Sequence, residues 1–293
     1  MAVYKRSYKI YDGPRTPAAM RFSVLTRFSL STLFQSRIFT GFVVLCMIPQ
    51  LFGAALIYFS HSAAAALILN MNLQGVQINN AWFATFLGVQ AWLGFIIVAA
   101  AAPGMITRDF ANQALQLYLS RPLSRAEYMA GKLSVLALLL SFFTWIPGLL
   151  LFGLQASLEG HGWGWKNFYL VGSIVVSGWL WIAVVSLFSL ALSVWVRWRI
   201  AATGLIFGSM FLLPAFGAVF NAVLGTNWGS LINLSFVMRI IWSSLYRIEP
   251  HFRRLIGAEQ IPLWSAWAAV IALCIFSLMV INQRLQAREV ERG

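Results

Sequence analysis

Charge is scarce in this chain of 293 residues: 10% of the residues are charged, and eight of them are acidic. So little charge, with a mean hydropathy of +0.77, excludes an ordinary soluble domain. Cysteine is nearly absent too. Cys46 and Cys274 both lie in apolar runs, which leaves neither a disulfide framework nor a thiolate metal site. The first 37 residues are polar and basic, without the short apolar core and small-residue cleavage site of a signal peptide, so the first apolar run is expected to be an uncleaved anchor. The net charge of +13 is read as basic loops flanking apolar runs, not as a nucleic-acid surface.

What the chain does have is long apolar runs. Six stretches meet the roughly 20 residues needed to cross a hydrocarbon core: 38–60, 81–104, 132–154, 168–196, 200–224 and 263–282. None holds Asp, Glu, Lys or Arg in its interior. Pro49, Pro147 and Pro214 are expected to kink the first, third and fifth. The fold class is an all-α integral membrane protein: a cytoplasmic arm (1–37), a six-span domain (38–283) and a tail (284–293). Of the 21 Lys and Arg residues, 7 fall in the arm, 4 between spans two and three, 2 between spans four and five, and 3 in the tail. The other side holds five, so both termini are expected in the cytoplasm, with a bacterial inner membrane as the location.

The flanking segments carry pattern of their own. Residues 18–36 are expected to form an interfacial elbow helix, although Phe22, Leu25, Phe28 and Leu33 make no clean stripe among Arg21 and Arg27. Between spans five and six, Leu231, Leu234, Val237, Met238, Ile241, Trp242 and Leu245 share one helical arc, and Asn233, Arg239, Ser243 and Arg247 the other. That is an amphipathic helix lying at, or dipping into, the outer surface. In span four, Trp179 and Trp181 either line a path or belong to an interfacial belt. Gly204 and Gly208 permit close helix packing, as at a subunit interface.

A polar interruption of 26 residues separates spans two and three, "TRDFANQALQLYLSRPLSRAEYMAGK", residues 107–132. On a helical wheel of 109–120, Phe110, Ala111, Ala114, Leu115, Leu117, Tyr118 and Leu119 fill an apolar arc. Asp109, Asn112, Gln113, Gln116 and Ser120 fill the rest, with Asp109 expected in the first turn, where its charge suits the helix dipole. Pro122 stops this helix. Ser124 and Glu127 then have capping-box spacing for a second helix running into span three. Such a segment either anchors at the interface or docks a soluble partner; the capped continuation favours docking, because a push on it moves the span.

These residues resemble the membrane subunits of type-2 ATP-binding-cassette (ABC) exporters, whose pattern has an acid opening a short cytoplasmic helix, then Pro-Leu-Ser-Arg, then Gly-Lys at the start of the third span. Asp109 matches the acid, Arg121 and Pro122 lie in the shared middle, and Gly131 and Lys132 close it. Gln113, Ala114 and Gln116 stand where the family has Gly, Thr and Glu. The resemblance implies a coupling helix (Asp109, Phe110, Gln113, Leu115, Gln116, Leu117, with Arg121 and Pro122) seated in a separate ABC-type ATPase, which would hold the ATP and Mg. It also implies a second permease copy or paralogue, with membrane lipids around the pair.

The chain's own residues agree that nucleotide is handled elsewhere. "AEYMAGKLS" mimics the end of a P-loop, but Ala126 stands where Gly is needed and Leu133 where Ser or Thr is needed. His61, His161 and His251 follow no metal-ligand spacing and are read as solvated loop residues. No catalytic triad or paired intramembrane carboxylates accompany the spans, so the chain is not read as an enzyme. A path without intramembrane charge suits an amphiphilic or lipid-like cargo. The alternative is a non-transporting scaffold that assembles partner proteins.

Overall fold

The structure is a computed structural model that describes residues 17, 20–62, 77–111, 124–196, 198–248 and 261–290. No strand occurs among the described residues. Six helical stretches are long and apolar enough to cross a membrane, consistent with an integral membrane protein. Span one is α2 (Arg37–Leu45) followed by α3 (Ile48–His61), and span two is α4 (Asn80–Ala111). Span three is α5 (Arg125–Phe143) followed by α6 (Trp145–Glu159). A short α7 (Trp163–Lys166), which the sequence pattern did not suggest, leads into span four, α8 (Tyr169–Trp195). Spans five and six are α9 (Arg199–Leu224) and α11 (Leu263–Val290).

The prolines act in two ways. In spans one and three the helix is interrupted just before the proline, so that Pro49 and Pro147 fall in the first turn of α3 and α6. There the missing N–H has no partner to lose. Pro214, expected to kink span five, lies inside the single helix α9, and Pro103 likewise inside α4.

α8 is the centre of the bundle, packing on α4, α5, α6, α9 and α11. Its buried face includes Trp181, Ile182, Val184, Val185 and Leu190, alternating with Ser173, Ser177, Ser186, Ser189 and Ser193. Small hydroxylated residues let neighbouring helices approach closely, and several satisfy themselves on their own helix, as Ser193 Oγ does on the Ser189 carbonyl at 2.6 Å.

α1 (Arg21–Phe34) explains its poor wheel. Its buried face is Leu25, Thr26 and Ser29, two of the three polar, because it packs on the start of α5 at Gly131 and Lys132. Thr26 Oγ1 donates to the Gly131 carbonyl at 3.2 Å. A methyl on Gly131 would lie 3.0 Å from Leu25 Cδ2 and 3.2 Å from the Phe22 carbonyl oxygen, so glycine is what allows this approach.

At the other end the chain re-enters the bundle. Gly225, with φ of +60°, ends α9 in the left-handed region, and a 3-10 turn (Trp228–Ile232) folds back along it. Gly217 and Gly229 meet backbone to backbone: a methyl on either would collide with the other's carbonyl oxygen. Gly217 lies seven residues before the end of α9, so the chain returns about 10 Å down that helix. α10 (Leu234–Leu245) follows, capped by Asn233, whose side chain accepts from the Phe236 N–H. α10 dips in rather than resting on a surface: Val237, Met238, Ile240, Ile241 and Trp242 are buried against α8 and α11. Ser243, assigned above to the polar arc, is buried too, its hydroxyl satisfied by the Ile240 carbonyl at 2.7 Å. Tyr246 closes the element, fully buried and 3.2 Å from Ser177 Oγ, while Asn80 Nδ2 donates to its carbonyl at 2.8 Å.

Candidate functional site

The strongest polar feature of the described bundle lies where span two ends and span three begins. α4 does not stop near residue 104; it continues to Ala111. Asp109 therefore continues the helix of span two and does not open a separate one. A largely buried carboxylate there needs partners. Two reach the same oxygen: Lys132 Nζ at 2.8 Å and the hydroxyl of Tyr128 at 2.8 Å. Lys132, expected as a loop charge, is buried, with 4% of its side chain exposed against 15% for Asp109. Its ammonium also donates to Ser29 Oγ on α1 at 3.3 Å and lies 5.6 Å from the Tyr128 ring centre.

α5 supplies Tyr128 and Lys132 from adjacent turns of one face, and its start is fixed by the cap expected from sequence. Ser124 Oγ accepts from the Glu127 N–H at 3.2 Å, and Glu127 returns a carboxylate oxygen to the Ser124 N–H at 2.6 Å. The Gly-Lys pair that first suggested a phosphate loop is thus a packing device: Gly131 admits α1, and Lys132 ties α5 to α4 and α1.

Beside this pair lies a cavity of about 620 Å³, bounded by α1, α2, α4, α5 and the start of α9. Its polar lining is Asp109, Lys132 and Arg199 with the hydroxyls of Ser29, Thr32 and Ser36. Arg199 lies against span two at Gly104, where a methyl would meet Nε at 3.4 Å. Arg199 has no hydrogen bond or ion pair among the described residues.

Of the expected coupling helix, Asp109 and the backbone of Phe110 lie in α4, continuous with span two. Gln113, Leu115, Gln116, Leu117, Arg121 and Pro122 lie outside the described residues. The two tryptophans part company. Trp179 is exposed and stacks on Trp145 with ring centres 6.3 Å apart, whereas Trp181 is buried edge-on to Trp242 of α10 at 5.8 Å. Gly204 has nothing within 4 Å of a methyl placed on it, and Gly208 meets only Leu212 of its own helix. His61 is exposed, but it ends α3 instead of lying in a loop, and it meets Glu159 at the end of α6 at 2.7 Å. His161 contacts the Glu159 carbonyl, and His251 lies outside the described residues. No metal-ligating cluster occurs among the described residues.

Sequence reasoning missed Tyr128, Ser29 and Arg199 as members of one site. The signal available was Lys132, more than two turns inside a capped helix and followed directly by "LSVLALLL", where a lysine is stable only with a partner. Near the re-entrant element a second cavity, about 440 Å³, is lined by one face of α4 with Trp181, Met210 and Trp242, and Arg239 is its charged member. The indole nitrogens of Trp181 and Trp242 have no hydrogen-bond partner among the described residues. Compared with known proteins, the sequence matches no family model and no curated protein.

Proposed function

We propose that this chain is the permease subunit of an ABC exporter that moves an amphiphilic or lipid-like substrate, with ATP and Mg bound by a separate ATPase subunit. The single observation that carries the reading is the buried Asp109–Lys132 pair, which clamps the end of span two to the start of span three on either side of the segment with coupling-helix pattern. A force applied to residues 109–120 then reaches two spans and α1 together, since Lys132 also bonds Ser29. The capping box at Ser124 stiffens the beginning of α5, so the push travels along a helix rather than a loop. In the proposed cycle, closure of the ATPases presses on this segment, spans two and three tilt as a pair, and a path opens between two permease copies. The cavity beside Trp181 and Trp242, apolar with Arg239 as its charged member, suits a cargo with a small charged head and a hydrocarbon body.

Phe110→Asp and Leu117→Asp test the docking step. Each is expected to abolish co-purification of the ATPase and ATP-dependent transport while leaving the permease folded in detergent. Unchanged partnering and transport in both variants would rule the reading out. A partner that co-purifies with the native chain but binds no nucleotide would favour the membrane scaffold instead.

A further inference from the structure

We infer that the cavity between α1, α2 and spans two, three and five is a binding site for one anionic phospholipid, its phosphate held by Arg199 and Lys132. Among the described residues the lining carries two cations and one carboxylate, a net positive charge. Asp109 is committed to Lys132 and Tyr128, which leaves Arg199 without a counter-ion among the described residues. A guanidinium offers five donors in a fork that matches two phosphate oxygens, and all five are free among the described residues. Lys132 spends two of its three donors on Asp109 and Ser29, so one remains for the same phosphate.

The rest of the lining selects a lipid over a free ion. Phe28 and Ile38 at the rim are exposed, 63% and 87%, and they continue the apolar surface of the first span. An inorganic phosphate gains nothing from that rim, whereas acyl chains extend along it while the headgroup reaches the hydroxyls of Ser29 and Ser36. Gly104 leaves the space in which the guanidinium lies flat on span two. The inference rests on the cavity alone and not on the transport reading, which survives if it fails.

The test is native mass spectrometry of the purified full chain in mild detergent, with phosphatidylglycerol and phosphatidylcholine of matched chains. The expected result is retention of one phosphatidylglycerol at about fivefold or more over phosphatidylcholine, reduced to near parity by Arg199→Gln. Gly104→Leu keeps every charge but displaces the guanidinium, and is expected to lower the preference as well. Lys166→Gln, an exposed charge on α7 beyond the far end of span three, is expected to leave it unchanged. Equal retention of the two lipids by the native chain would overturn the inference. So would full preference in Arg199→Gln and Gly104→Leu, an equal loss in Lys166→Gln, or displacement of the lipid by millimolar inorganic phosphate, which marks a free-anion site.

Discussion

Lys132 shows how little room one buried charge leaves for change. Its carboxylate partner is 2.8 Å away and both groups are largely out of solvent, so losing either strands the other. Breaking such a pair from one side costs roughly 3–5 kcal/mol, whereas replacing both ends with apolar groups is often near neutral. Lys132→Met and Asp109→Leu are therefore each expected to lower the thermal midpoint in detergent sharply, and the double variant to recover most of the loss. Additive losses in a double-mutant cycle would refute the coupling. Because Tyr128 donates to the same Asp109 oxygen, Asp109→Leu also removes that hydrogen bond and is expected to be the worse single change. Gly131 tests the α1 contact separately. Gly131→Ala crowds Leu25 and the Phe22 carbonyl, with an expected destabilisation of about 1–3 kcal/mol by denaturant titration, and Thr26→Val is expected to be milder.

Elements differ in how much of them the sequence displays. The six spans are legible because burying twenty or so backbone amides in hydrocarbon demands a continuous apolar helix, and that demand is written as an uninterrupted run. The Ser124–Glu127 cap is legible because its geometry is local. The ion pair is not, since Asp109 and Lys132 are brought together by the turn of the chain between two spans, and the nearer pattern, a P-loop-like Gly-Lys, points elsewhere. The breaks at Cys46–Met47 and Thr144 were displaced from the prolines that cause them, because a proline is best accommodated in the first turn of the helix it begins. The periodicity of α10 told which face is apolar but not how deep the helix sits; depth is set by the Gly217–Gly229 crossing, which depends on two glycines in different elements. Gly217→Ala puts a methyl into the Gly229 carbonyl, and the 3-10 turn must lift off α9. The expected outcome is increased proteolysis between residues 225 and 248 and a red shift of tryptophan emission as Trp242 loses its burial, with the Asp109–Lys132 end unaffected. Native-like protection in this variant would show that the re-entrant packing is not needed for the fold.

At the scale of the whole molecule, the spans divide into an inner set and an outer set. Span four is enclosed, while the most apolar stretch of span five is only 11% buried within the chain. Exposure alone assigns no partner, since acyl chains cover an apolar helix as well as protein does. Span five carries two glycines one turn apart, Gly204 and Gly208: nothing within 4 Å stands over Gly204, and its backbone is open to a second helix. A twofold dimer places residues near the axis against their own copies, so a stripe of this kind on the proposed permease dimer would bring Gly204 close to Gly204 of the other copy. Gly204→Cys, in a background with Cys46→Ser and Cys274→Ser, is then expected to form a disulfide dimer in membranes under mild oxidation. A cysteine at the exposed Phe216, three turns further along, is expected to cross-link less if the helices diverge towards the re-entrant end. Gly204→Ile with Gly208→Ile should dissociate the native dimer in detergent without altering the thermal midpoint of the monomer. If the doubly substituted chain still runs as a dimer and position 204 never cross-links, span five faces lipid, and the path between copies must be sought along another pair of helices.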